Sequence, residues 1–214
     1  MRGPAVTVVL VAALTMVLTG CSGTKPDPPG QTSSKPPDGA ANSSSTPQAL
    51  PYAGAPKVAT PLPNSVLTGG PCAALTAQQV KDGIGVNDPG KPDTVPGIGA
   101  RCVWSNVETS GQVLVYYVTE TGKGLSGLYE NTKPQSVVWK PLPAIQGFPA
   151  VAYVSSSGGD PKDFCAVSVG IADNLTVEAA MFLGRSKRGK VDPCTIAPLE
   201  ANDVVTTLRG KVGV

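Results

Sequence analysis

Histidine is absent from this chain of 214 residues, and that omission orders everything else in it that could do chemistry. The commonest general base and the commonest transition-metal ligand are both missing, so catalysis would have to rest on Ser, Lys, Asp or Glu. Gly122-Lys123-Gly124-Leu125-Ser126-Gly127 matches G-x-G-x-x-G after a strand-like run and at the head of a helix-like one. A dinucleotide site also needs a parallel βαβ unit and an acidic residue about 20 positions on. Neither is in view, so the glycines read as a strand-to-helix turn and no cofactor is expected. Ser126 with Lys123 or Lys133 could form a serine–lysine dyad, and Asp160 with Asp163 in SSSGGDPKDF could act as paired carboxylates or bind calcium. Those aspartates flank a turn beside Lys162 and lack the ligand density of a calcium loop, which favours solvated turn residues. Arg185, Lys187, Arg188 and Lys190 place four positive charges in six residues, a loop able to touch an anionic surface or simply to be solvated.

The elements that would hold these residues follow from periodicity. Strand-like runs with β-branched and aromatic alternation occupy 101–106, 111–120, 135–142, 148–156, 164–172 and 174–183. Asp173-Asn174 joins the last two as a tight hairpin. A helix is expected near 124–132. Thr76 and Gln79 make a capping box, with Leu75 and Val80 as its staple, for a short helix ending at Gly83. Asp192 and Pro193 open a C-terminal helix, in which Pro198 predicts a kink or a delayed start. Strands bracketed by helices give an α+β fold, an antiparallel sheet packed against N- and C-terminal helices as a two-layer sandwich. Trp104, Trp139, Tyr116, Tyr117 and Tyr153 fall on strands, as core residues or as a platform on the outer face. From residue 71 onward there are thirteen basic and thirteen acidic residues. Such a neutral domain lacks the basic footprint of nucleic-acid binding.

The N-terminus reads differently. Met1 and Arg2 precede an apolar run from Ala5 to Leu18, too short to span a bilayer comfortably and of the length of a signal-peptide core. It ends Leu18-Thr19-Gly20-Cys21, which resembles the lipobox of bacterial lipoproteins. In those proteins the cysteine thiol carries a diacylglycerol, and cleavage just before it frees an amine for further acylation. The resemblance implies a leader over 1–20 and a lipid-modified Cys21 anchored at the extracytoplasmic face of a cell membrane. Residues 21–70 hold ten of the 22 prolines and few large apolar side chains. They are expected to be a disordered tether, about 150 Å long if extended as polyproline II, leaving the folded domain at 71–214.

Cys72, Cys102, Cys165 and Cys194 remain, an even set in an exported domain and so a disulfide framework. Three connectivities are open. Cys165 and Cys102 share strand phase with core-facing residues, and Cys72 and Cys194 each follow a proline at a helix start, which favours Cys72–Cys102 with Cys165–Cys194. The rival, a zinc site of four thiolates, has no C-x-x-C pair to support it, and no metal is expected.

PCAALT at 71–76, RCVW at 101–104, GFPAV at 147–151, FCAVSVGIADNLTVEAA at 164–180 and DPCTIA at 192–197 together resemble the LprB-like actinobacterial lipoproteins, whose domain has no known function. Their layout is in turn similar to PsbP-like sandwiches. The resemblance supplies no catalytic residue. The tether, the disulfides and the lack of catalytic groups point to a lipid-anchored binding or interaction module, with an envelope protein or a small ligand as partner. The alternative is a histidine-free envelope hydrolase using Ser126 and a lysine or two carboxylates. An apolar-ligand carrier would need a deep pocket between sheet and helices.

Overall fold

The computed structural model describes residues 48–214; the expected leader, Cys21 and the part of the expected tether up to residue 47 lie outside the described residues. Seven strands form one antiparallel sheet: β1 (Lys91–Val95), β2 (Gly99–Asn106), β3 (Gly111–Val118), β4 (Ser136–Ile145), β5 (Phe148–Ser155), β6 (Phe164–Ala172) and β7 (Leu175–Phe182). Their spatial order is β1-β2-β3-β7-β6-β5-β4. Three α-helices accompany them: α1 (Ala77–Ile84), α2 (Gly124–Asn131) and α3 (Pro193–Gly210). The expected α+β class holds, with one addition. Helices α1 and α3 bury their apolar stripes against one sheet face, while the Leu128 side chain of α2 packs with residues of the other.

The central strands β6 and β7 are buried along nearly their whole length because both faces are covered. Period-two alternation puts Cys165, Val167, Val169 and Ile171 of β6 and Val177, Ala179 and Met181 of β7 into the main core. There they meet Ala197, Ala201, Val204, Val205 and Leu208 of α3. Each Val or Leu so buried contributes about 1.5–3 kcal/mol. Both edge strands carry proline, Pro92 in β1 and Pro141 and Pro143 in β4, which blunts them against further pairing. β1 had no strand signal for the same reason. KPDTV is polar and nearly all exposed, without an apolar alternation to detect.

Disulfides join Cys72 to Cys102 and Cys165 to Cys194, the pairs favoured by strand phase. The first ties the turn before α1 to β2, and the second ties the first turn of α3 to β6. Thr76 caps α1 as expected: its Oγ1 accepts from Gln79 N at 3.3 Å, and Gln79 Oε1 accepts from Thr76 N at 2.7 Å.

Three local expectations need correcting. First, α1 does not stop at Gly83; it runs to Ile84 and ends on Gly85, whose φ of 80° is left-handed. Gly83 instead makes room for Glu200 of α3, since a Cβ there would lie 2.5 Å from Glu200 Oε1. Second, α3 starts at Pro193 without delay and continues through Pro198. Asp192 Oδ1 accepts from Cys194 N at 2.8 Å, and the disulfide pins the same turn, so the opening turn survives the backbone hydrogen bond that Pro198 cannot donate.

Third, residues 52–70, expected to belong to a disordered tether, are ordered against the domain. Val58, Leu62 and Val66 are buried in the core, and the segment from Tyr52 onward is strapped to the domain. Tyr52 N–H donates to Ser126 Oγ at 2.9 Å and its hydroxyl to Glu130 at 3.1 Å, both on α2. Val58 N–H then donates to Asp173 in the β6–β7 turn, and Leu62 N–H to the Ile171 carbonyl of β6. Three spaced apolar side chains and these backbone donors suffice to order a proline-rich strand-like stretch, although its composition resembles a linker.

Tyr117 of β3 faces the core, where its hydroxyl has no hydrogen-bond partner and burial pushes its pKa up to about 12. Tyr117→Phe is therefore expected to be neutral or to stabilise by about 1 kcal/mol, since it removes an unsatisfied buried polar atom and keeps the ring. Urea unfolding at pH 7 measures it; a loss above that size would mean that the hydroxyl has a partner.

Candidate functional site

The outer sheet face, the one α2 partly covers, carries two adjacent rows of residues. One row is largely apolar: Val103, Leu114, Ala180, Ala166, Tyr153 and Trp139, each register partner to the next across β2, β3, β7, β6, β5 and β4. The neighbouring row runs Asp93, Arg101, Tyr116, Glu178, Ser168 and Val151 across β1 to β5. It is polar through five strands. Arg101 pairs with Asp93, and its guanidinium lies 5.6 Å from the centre of the Tyr116 ring. Asp93 is held below the usual carboxylate range by the backbone N–H of Thr94 and by Arg101.

Glu178 stands in the middle of this row. Its Oε2 accepts two hydrogen bonds, from the Tyr153 hydroxyl at 2.5 Å and from Ser168 Oγ at 3.0 Å. Burial raises its pKa, and those two bonds only partly offset the rise. Burial, with the neighbouring Glu178 charge, also pushes the Tyr153 phenol well above its ordinary value. Over this trio lies a cavity of about 370 Å³ walled by α2 and the chain leading into it. Ile98, Val118 and Leu128 supply apolar surface; Thr121, Asn131, Thr132 and Thr176 supply polar groups. A concave site of this size, mostly apolar with a few converging polar atoms, has the character of a small-molecule pocket.

The G-x-G-x-x-G turn builds one wall of that cavity through Lys123, Gly124 and Gly127, but not as a nucleotide loop. The strand before it, β3, pairs antiparallel with both β2 and β7, so no parallel βαβ unit exists. Gly124 has a φ of 52°, and a Cβ there would collide with the Asp173 carbonyl. Close approach of α2 to the β6–β7 turn requires the glycine.

The other residues singled out from the sequence do not assemble. Ser126 is fully buried and its Oγ is occupied by the Tyr52 N–H, while Lys123 Nζ pairs with Glu130 at 3.1 Å and Lys133 Nζ lies over the Tyr129 and Trp139 rings; no serine–lysine dyad forms among the described residues. Asp160 Oδ1 accepts from the Lys162 N–H, and Asp163 pairs with Arg188 at 3.5 Å. Neither a carboxylate pair nor a calcium loop results. Of the four basic residues, Arg185 Nε donates to Ser110 and Arg188 Nε to the Leu183 carbonyl. Lys187 and Lys190 are exposed and make no ion pair among the described residues. Trp104 and Tyr117 are core residues, while Tyr116, Trp139 and Tyr153 lie on the outer face, where Trp139 stacks edge-on against Tyr129 at 5.0 Å.

Glu178, Ser168 and the cavity escaped the reading of the sequence. A signal was present: Glu178 is the lone charged residue of NLTVEAAMFL and Ser168 the lone hydroxyl of FCAVSVGIA, each at mid-strand in a largely apolar run.

A model of a protein family of unknown function, DUF3558, matches residues 16–207. No curated protein and no solved structure matches the chain.

Proposed function

The chain belongs to the family of unknown function DUF3558, and from that premise we propose that it is a non-catalytic binding module of the cell envelope. It would be held at the extracytoplasmic face of a membrane by acyl chains on Cys21, and it would take a small ligand in the cavity beside α2. The cavity over Glu178, Tyr153 and Ser168 is the observation that carries the binding role. The anchor rests on the Leu-Thr-Gly-Cys pattern, on the resemblance to LprB-like lipoproteins, and on a family match that starts at residue 16 and so takes in Cys21. Lys187 and Lys190 would add a contact to anionic lipid or wall polymer, worth about 1 kcal/mol per charge near the surface.

Growth of the producing cells with an alkyne-tagged fatty acid tests the anchor. The wild-type chain is expected to take up the label and fractionate with membranes. Cys21→Ala should lose the label while both disulfides still form. An unlabelled wild-type chain, or a labelled Cys21→Ala chain, overturns it.

A further inference from the structure

Glu178 uses only one of its two oxygens on the protein. Both hydroxyl donors, from Tyr153 and Ser168, converge on Oε2. Oε1 has no hydrogen-bond partner among the described residues, yet it is not among the buried unsatisfied atoms, so it is reachable from the cavity that Glu178 lines. An ionised carboxylate accepts and does not donate, and two donors on one oxygen leave the other as the single strong acceptor aimed at whatever enters.

The walls limit what that is. Ile98, Val118 and Leu128 are apolar, and a cavity of about 370 Å³ admits a molecule of small-metabolite size. The one cationic residue in the lining, Lys123, is bound to Glu130 on the helix surface, so it does not neutralise Glu178. A carboxylate in such a place carries a desolvation cost that a neutral donor leaves standing and a positive charge relieves. Ionised donor–acceptor pairs are also about twice as strong as neutral ones.

We propose that the cavity beside α2 binds a small protonated amine, its ammonium on Glu178 Oε1 and its apolar body against Leu128, Ile98 and Val118. Tyr153 and Ser168 act as positioning residues: their bonds to Oε2 fix the plane of the carboxylate and turn Oε1 to the ligand. This rests on the cavity being a binding site, and it adds the chemical class of what is bound.

Two probes that differ in one group separate the two statements: 3-phenylpropylamine, charged at pH 7, and 3-phenylpropanol. With the full chain in detergent, methyl-labelled at Ile98, Val118 and Leu128, titration by NMR should show the amine shifting all three residues and binding about tenfold tighter than the alcohol. The carboxyl carbon of Glu178 should move with the amine and not with the alcohol. Glu178→Gln should abolish the preference, with both disulfides formed and a cooperative melt retained. Equal affinity for the two probes at these residues, or a preference that survives Glu178→Gln, overturns the amine assignment and leaves a binding cavity. No shift at Ile98, Val118 or Leu128 with either probe overturns both. The wild-type ratio and the Glu178 carbon signal decide the matter even where the variant fails to fold.

Discussion

Glu200→Gln is expected to stabilise the protein by about 3 kcal/mol at pH 8 and by almost nothing at pH 4. Glu200 lies on α3 against Gly83 of α1, only 5 % exposed, and its Oε2 has no hydrogen-bond partner. Burial, with the nearby carboxylates of Asp203 and Asp82 adding in the same direction, raises its pKa to about 7. In the unfolded chain the same group titrates near 4.5. Between those values the folded state holds a proton that the unfolded state lacks, so stability falls as pH rises and the loss is complete above about pH 7. Each unit of difference corresponds to about 1.4 kcal/mol, which gives the size. Below the unfolded value both states are protonated, and glutamine, the neutral isostere, gains nothing. Urea unfolding of both proteins from pH 4 to pH 8 measures it. Parallel stability curves would mean that Glu200 is ionised and compensated in the folded state.

Replacing Cys165 and Cys194 together by alanine is expected to lower stability by about 3.5 kcal/mol. The bridge spans 29 residues, and cross-linking a loop of that length removes that much chain entropy from the unfolded state. Both ends are well buried. The bridge also pins the first turn of α3, where the Cys194 carbonyl lacks the backbone bond that Pro198 cannot donate. A melting temperature lower by about 7–14 °C follows for a domain of this size. Calorimetry under non-reducing conditions measures it, with the Cys72–Cys102 bridge left intact. A drop below about 3 °C would mean that the unfolded chain is already compact across that loop.

Six of the seven strands, the capping box, the hairpin and the disulfide pairs were legible because each has a short-range signature. Cys165 declares its side of the sheet by standing in phase with Val167, Val169 and Ile171, and Thr76 declares a helix start through Gln79 three residues on. What was not legible depends on partners distant in the chain. Val58, Leu62 and Val66 look like linker residues until β6 and the β6–β7 turn supply acceptors for the backbone around them. Gly83 reads as a helix stop until Glu200 is placed opposite it. The candidate site was hidden in the same way. Tyr153, Ser168 and Glu178 come from three strands, and only the register of β5, β6 and β7 brings them to one oxygen.

The strap through Tyr52 gives the domain a mechanical polarity. Any load arriving through the residues before Gln48 reaches the folded chain first at Tyr52, whose backbone and hydroxyl both hold on to α2, and α2 is also a wall of the cavity. Two hydrogen bonds at one residue yield at far lower tension than a hydrogen-bonded sheet of seven strands, so a pull from that side acts as a lever on the wall of the pocket and leaves the sheet at rest.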